Sequence, residues 1–228
     1  ICLSNEPQFE INNCGDFYMN DWHTHLREIY NNDINELNKA YGTNYTAFEE
    51  VDMKNDFNTP AKQYDYKLLN DRIFAEWHQW MAEIIREIAP DIPLHSKIMG
   101  YTTSAYHRVF LQNNGTGYHE YQKFLDYHGC DYWNYEADDT IKPLVKNMWY
   151  DYMSSYGVKP IINSEDHILP DRGTNYELCV SDYVAQDLWQ GAIHGRVSSV
   201  MWIWRRSANK SDDSRELSLF INLYFEGQ

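Results

Sequence analysis

The stretch Lys159-Pro160-Ile161-Ile162-Asn163-Ser164-Glu165-Asp166-His167 is a short apolar run that ends in two acids. A second stretch of the same form opens the chain, where Ile1-Cys2-Leu3-Ser4 gives way to Asn5-Glu6-Pro7. Short continuous apolar runs are the pattern of strands buried on both faces, as in parallel sheets. In α/β barrels the reacting side chains stand where such strands end, at the carboxyl face. Two glutamates, each at the carboxyl end of its own strand, can therefore face one another across a barrel mouth.

Working outward from that pair, the pattern predicts a helix over 22–40, capped by Asn20 or Asp21, with Trp22, Leu26, Ile29 and Tyr30 on one face. Gly42 ends it in a C′-like position. Residues 44–60 are irregular and aromatic, a candidate wall of a cleft. The longest helical pattern, 64–89, carries Leu68, Ile73, Trp77, Trp80, Met81, Ile84, Ile85 and Ile88 and is stopped by Pro90. A regular alternation follows: strand 96–101, helix 117–127, strand 130–133 and helix 139–156. That last helix is expected to turn Ile141, Leu144, Val145, Met148, Trp149 and Tyr152 inward, and Gly157 breaks it. Strand 160–164, helix 178–194 and strand 198–204 complete the series. Strands separated by single helices mean βαβ units and a parallel sheet.

Five strands do not close an eight-stranded barrel. If the Glu6 strand is the fourth, the chain supplies strands four to eight of a (β/α)8 TIM barrel with their helices, and three strands are expected upstream. Residues 1–216 are then the C-terminal part of a catalytic barrel, and 217–228 a final helix or a tag-like tail. An open five-stranded sheet is the alternative.

The 228 residues carry a net charge of -15, which argues against nucleic acid and anionic membrane surfaces as partners. No apolar run approaches the ~18 residues of a membrane span. Aromatic residues make up 16% of the chain, and ring faces match the C–H face of a pyranose, although most such rings pack in cores. Cys2, Cys14, Cys130 and Cys179 are too widely spaced for a zinc ribbon or a dense disulfide framework. Cys2 and Cys130 fall in predicted strands and are expected to be buried thiols. Asn44, Asn114 and Asn209 head glycosylation patterns that settle nothing about secretion. Compartment is not written in these residues, with a secreted or periplasmic setting preferred to a cytoplasmic one.

A carboxyl pair at a barrel mouth suits retaining glycoside hydrolysis, in which one group is acid and then base and the other is the nucleophile. Glu6 is the candidate acid/base and Glu165 the candidate nucleophile. Asp166 is the local rival of Glu165, because side chains alternate and only one of the two can project into the mouth. Around them, Tyr101, Tyr132, Trp133 and Tyr135 stand at strand ends, with Glu136 a third carboxylate or a solvated loop residue. Trp202 and Trp204 share a strand face, either as a sugar platform or as core, and His167 adjoins the acids. His23, His25 and His119 lack metal-ligand spacing, so no metal is expected. Phosphate-loop, nucleophile-elbow and dinucleotide motifs are absent, and no cofactor is expected.

Asn5-Glu6-Pro7 after an apolar strand resembles the acid/base motif that ends the fourth strand in clan A glycoside hydrolases. Residues 26–48, LREIYNNDINELNKAYGTNYTAF, are similar to the helix and LN-x-x-WGT segment of family 42, with Tyr41 in place of the usual Trp. Asp71-Arg72-Ile73-Phe74 and residues 86–93 resemble its long connection between strands four and five. Trp204-Arg205-Arg206-Ser207 with Glu216 is similar to its eighth-strand region, although Leu219 replaces the family's histidine. The resemblance implies a retaining exo-β-glycosidase, β-galactosidase-like, acting by double displacement. It also implies that Asn5 meets the sugar 2-hydroxyl and that Glu216 joins the substrate site. Other clan A activities, a β-mannosidase or endo-β-glycanase, and a catalytically silent carbohydrate-binding barrel are the alternatives. The expected partners are an oligo- or polysaccharide or glycoside and the missing N-terminal half of the barrel, with self-association left open.

Overall fold

The structure, a computed structural model, describes residues 1–54, 58–99, 115–133, 143–168 and 180–201. It divides into two compact units, one of Ile1–Glu6, Pro93–His107 and Leu125–Gln228, the other of Pro7–Ile92 and Arg108–Phe124.

The first unit is built on five parallel strands: β1 (Cys2–Asn5), β2 (His95–Met99), β3 (His128–Trp133), β4 (Ile161–His167) and β5 (Arg196–Met201). Their spatial order is the chain order, β1-β2-β3-β4-β5. A doubly wound sheet reverses direction at a switch point, whereas a barrel never does. The sheet is therefore consistent with part of a (β/α)8 barrel. Helix α5 (Pro143–Ser155) joins β3 to β4, and α6 (Val180–Ile193) joins β4 to β5.

The second unit holds α1 (Met19–Ile29), α2 (Ile34–Tyr41), α3 (Pro60–Ile88) and the single turn α4 (Tyr118–Tyr121). The one helix expected over 22–40 is in fact two. Asn31 and Asn32 adopt left-handed φ of 50° and 59°, and the Asp33 side chain accepts from the Asn35 amide to cap a new helix. Asparagine tolerates that conformation and aspartate is a preferred cap, so the break is local chemistry. Gly42 closes α2 in the left-handed region, as its position suggests. Ile11, Trp22, Leu26, Leu37, Tyr41, Tyr66 and Leu69 form the core here, and buried Asp65 accepts from the hydroxyls of Tyr30 and Tyr41.

Several expected faces are corrected. Helix α3 starts earlier, with Pro60 in its first turn, and buries Tyr66, Leu69, Ala75, His78 and Ala82 while Trp77, Trp80, Ile84 and Ile88 are exposed. The helix expected over 117–127 is the one turn of α4. On α5, Trp149 is buried as expected, but Leu144 and Met148 are exposed, and Lys146, Tyr150 and Met153 are buried in their place. The reason is electrostatic: Lys146 is drawn inward by Asp166 at 2.5 Å and Asp187 at 2.9 Å. Cys130 is buried, but Cys2 is exposed. Cys179 and residues 202–228, including the expected tail, lie outside the described residues.

Candidate active site

The position of Glu165 depends on a one-residue irregularity. Strand β3 alternates regularly: Cys130 and Tyr132 lie on the helix-covered face and Asp131 on the other. Tyr132 stacks on Trp149 of α5 with ring centroids 5.7 Å apart. On β4, Asn163 faces the helices and donates to the Tyr150 hydroxyl at 3.1 Å. Strict alternation would put Glu165 on that same face. Instead the register steps from Cys130↔Asn163 to Asp131↔Glu165, with Ser164 as the extra residue. Such a bulge re-aims every side chain after it. Glu165 and His167 thereby join Asp131 on the open face, and Asp166 turns to the helices. The strand expected over 160–164 in fact runs Ile161–His167, so Glu165 lies near its carboxyl end rather than just past it.

On that open face Lys97 of β2 is the hub. Its ammonium is hydrogen-bonded to Glu165 Oε2 and lies 3.9 Å from Glu6 Oε1. The candidate carboxylates at the carboxyl ends of β1 and β4 are thus within reach of one nitrogen. His167 Nε2 lies 3.4 Å from Glu165 Oε1 and 3.7 Å from Asp131 Oδ1. Asp131 is buried, and burial, the charge of Glu165 and a hydrogen bond with Glu6 push its carboxyl up to about 8, against the pull of Lys97. Glu6 has a left-handed φ of 47°, unusual for a residue with a side chain, while its amide donates to the Lys97 carbonyl at 2.9 Å. Donor atoms of Asp131, Glu165 and His167 lie within 4.8 Å of one another. A divalent ion there would meet the fixed charge of Lys97, and we assign none.

The helix-covered face carries a different cluster. Asp166, completely buried, is held by Lys146 at 2.5 Å, Arg196 at 2.6 Å and the Ser199 hydroxyl at 2.5 Å. Asp187 of α6 joins both cations, at 2.9 Å from Lys146 and 3.0 Å from Arg196. Burial alone would raise the Asp166 carboxyl, but the two cations outweigh it and hold it below the ordinary carboxylate range.

The expected site residues are therefore sorted as follows. Glu6, Glu165 and His167 meet around Lys97, and exposed Asn5 ends β1 beside them in sequence. Tyr132 does not reach this face: it is buried against Trp149, because its parity on β3 is that of Cys130. Trp133 is the last residue of β3. Tyr101, Tyr135, Glu136, Trp202, Trp204 and Glu216 lie outside the described residues. His23 and His25 point to separate backbone carbonyls, of Val51 and Asp65. Two residues escape the sequence reading, Lys97 and Asp131. Their signal is a charge set inside an apolar strand, which seldom occurs without a partner.

A chain-ordered parallel sheet bearing clustered carboxylates where its strands end is the layout of a barrel hydrolase. The chain belongs to glycoside hydrolase family 42: residues 2–213 match that family's model, described as beta-galactosidase. Beta-galactosidase Pbg of Clostridium perfringens is 30% identical over 125 residues, which is 50% of this chain and 17% of that protein. Among solved structures, an exo-carrageenase of the same family from Bacteroides ovatus aligns with a TM-score of 0.66 at 19% identity, covering 92% of this chain and 31% of that one. The β-galactosidase of Halorubrum lacusprofundi aligns with a TM-score of 0.64 at 18% identity, covering 90% and 34%. The chain thus spans about a third or less of the length of these relatives, and the structural likeness is one of fold.

Proposed function

We propose that the protein carrying this chain is a retaining exo-β-glycosidase acting on β-galactosides, with Glu165 as nucleophile and Glu6 as acid/base. The five strands are read as the fourth to eighth of the barrel. The observation that carries the proposal is the convergence of Glu6 and Glu165 on Lys97, from the carboxyl ends of two strands. Retention needs carboxyl groups roughly 5–5.5 Å apart, and the approach of both to one ammonium supports that reading.

In the first step a Glu165 oxygen bonds to the anomeric carbon as the glycosidic bond breaks. The leaving oxygen takes a proton delivered through Glu6. In the second, water bonds to that carbon, gives its proton back to Glu6 and frees Glu165. Lys97 balances the charge of Glu165 between turnovers, and Asn5 takes the sugar 2-hydroxyl, the role its family resemblance implies. The names of the relatives, a β-galactosidase and an exo-carrageenase, favour a galactoside end as substrate.

The test is turnover of aryl β-galactosides, β-mannosides and β-glucosides by the intact protein, with the anomer of the first product read by NMR. A β-anomeric product from the galactoside, and a fall of about 10²- to 10⁴-fold for Glu6→Gln, are expected. An inverted product, or no turnover of any member of the panel, rejects the proposal.

A further inference from the structure

We propose that Asp131 is a positioning residue that shares one proton with Glu6, so that this pair, rather than Glu6 alone, holds the proton delivered to the leaving oxygen. The inference rests on the reading of Glu6 as acid/base. Asp131 stands on β3 opposite Glu165, at 2% exposure, and its carboxyl is hydrogen-bonded to that of Glu6. A carboxylate has only acceptors, so a hydrogen bond between two carboxyl groups requires a proton on one of them. Asp131 Oδ1 has no hydrogen-bond partner among the described residues, and its neighbour His167 Nε2 is 3.7 Å away.

Among the described residues the charges that face Asp131 are Glu6 from the end of β1, Lys97 from β2, and Glu165 and His167 from β4. Three carboxyl groups thus surround one lysine and one histidine. Like charges this close cannot all ionise together, and the pair keeps a proton well above the range of a single carboxyl. The upward displacement of Asp131 to about 8 agrees with this geometry.

The cycle balances. On glycosylation the shared proton leaves with the alcohol, while Glu165 loses its charge by forming the ester. Both members of the pair are then anionic, in a site that has lost one negative charge elsewhere. On hydrolysis, water returns a proton to the pair and hydroxyl to the sugar, and Glu165 regains its charge.

The experiment is the pH profile of kcat/KM for an aryl β-galactoside in the intact protein, whose basic limb reports the free enzyme's acid. Asp131→Asn should move that limb down by at least about one unit, since Glu6 would titrate without a second carboxylate. At pH 8 this is a loss of about tenfold beyond any change at pH 5, and Asp131→Glu should restore the limb. A limb that stays in place in Asp131→Asn overturns the inference. If that variant does not fold, the unmodified enzyme decides: a basic limb at ordinary carboxyl pH, below about 6, equally overturns it. Full activity of Glu6→Gln would reject the acid/base reading itself, an outcome distinct from an immobile limb in an enzyme that needs Glu6.

Discussion

Glu165 and Asp166 are adjacent in the chain and sit in opposite electrostatic worlds. Asp166 faces the helices in a closed set of two acids and two bases, Asp166 and Asp187 with Lys146 and Arg196, and Ser199 adds a hydroxyl. Every charge there has a fixed opposite. Glu165 faces the other way, among Glu6, Asp131, Lys97 and His167, where among the described residues carboxyl groups outnumber cations and one buried oxygen lacks a hydrogen bond. A balanced buried network resists any change of protonation. An unbalanced one must move protons when a charge next to it appears or vanishes, as a catalytic site has to. The contrast separates an acid that holds the fold from one available for reaction.

The largest expected effect breaks the contrast on the open face. Glu165→Gln should lower kcat by on the order of 10³-fold or more, as losses of catalytic nucleophiles do, while the melting temperature changes little. A variant that keeps turning over would remove Glu165 from the role of nucleophile.

Next is the mirror experiment. Asp166→Asn strips a partner from Lys146 and Arg196 and should cost about 3–5 kcal/mol of stability by denaturant unfolding, with residual activity following the folded fraction. Its pH signature follows from the downward displacement of the carboxyl. The stability due to Asp166 is present above the unfolded value near 4 and is lost as pH falls through the lower folded value. Asp166→Asn should therefore be less sensitive to acid than the unmodified protein.

The smallest effect has the opposite sign. Asp131 is displaced upward, so its contribution is present below about pH 4 and is lost as pH rises toward about 8. Asp131→Asn should melt a few degrees higher than the unmodified protein at pH 8, and the gap should close at pH 4. A gap that does not vary with pH would mean that Asp131 is not carrying a proton in the folded state.

Much of this contrast was legible in the sequence, and its limits are specific. The apolar runs before Glu6 and Glu165 announce parallel strands, and the alternation with helices orders the sheet. The expectation of Glu165 over Asp166 rests on strand position and on the resemblance, and in the structure a bulge at Ser164 turns Glu165 to the open face and Asp166 to the helices. Counting by twos from Ile161 would hide Glu165 among the helices. A bulge is a property of pairing between β3 and β4, and no local pattern in β4 reveals it. Tyr132 is misplaced by its position near a strand end, since its parity on β3 puts it in the helix-covered layer. Leu144 and Met148 mislead for another reason: the ion pairs of Lys146 rotate α5 away from its apolar stripe. Lys97 and Asp131 were visible as charges in apolar strands, but their partnership is a fact of three dimensions.

The left-handed turn at Glu6 has a further meaning. A side chain with a β-carbon is uncomfortable there by about 1–2 kcal/mol, a burden that asparagine tolerates more readily. Nothing in backbone mechanics recommends a glutamate at that corner, so its presence speaks for the usefulness of what it carries. Exchanging it for asparagine should yield a silent protein with a more relaxed main chain. The molecule, in other words, holds part of its robustness in reserve to keep an acid at the end of β1.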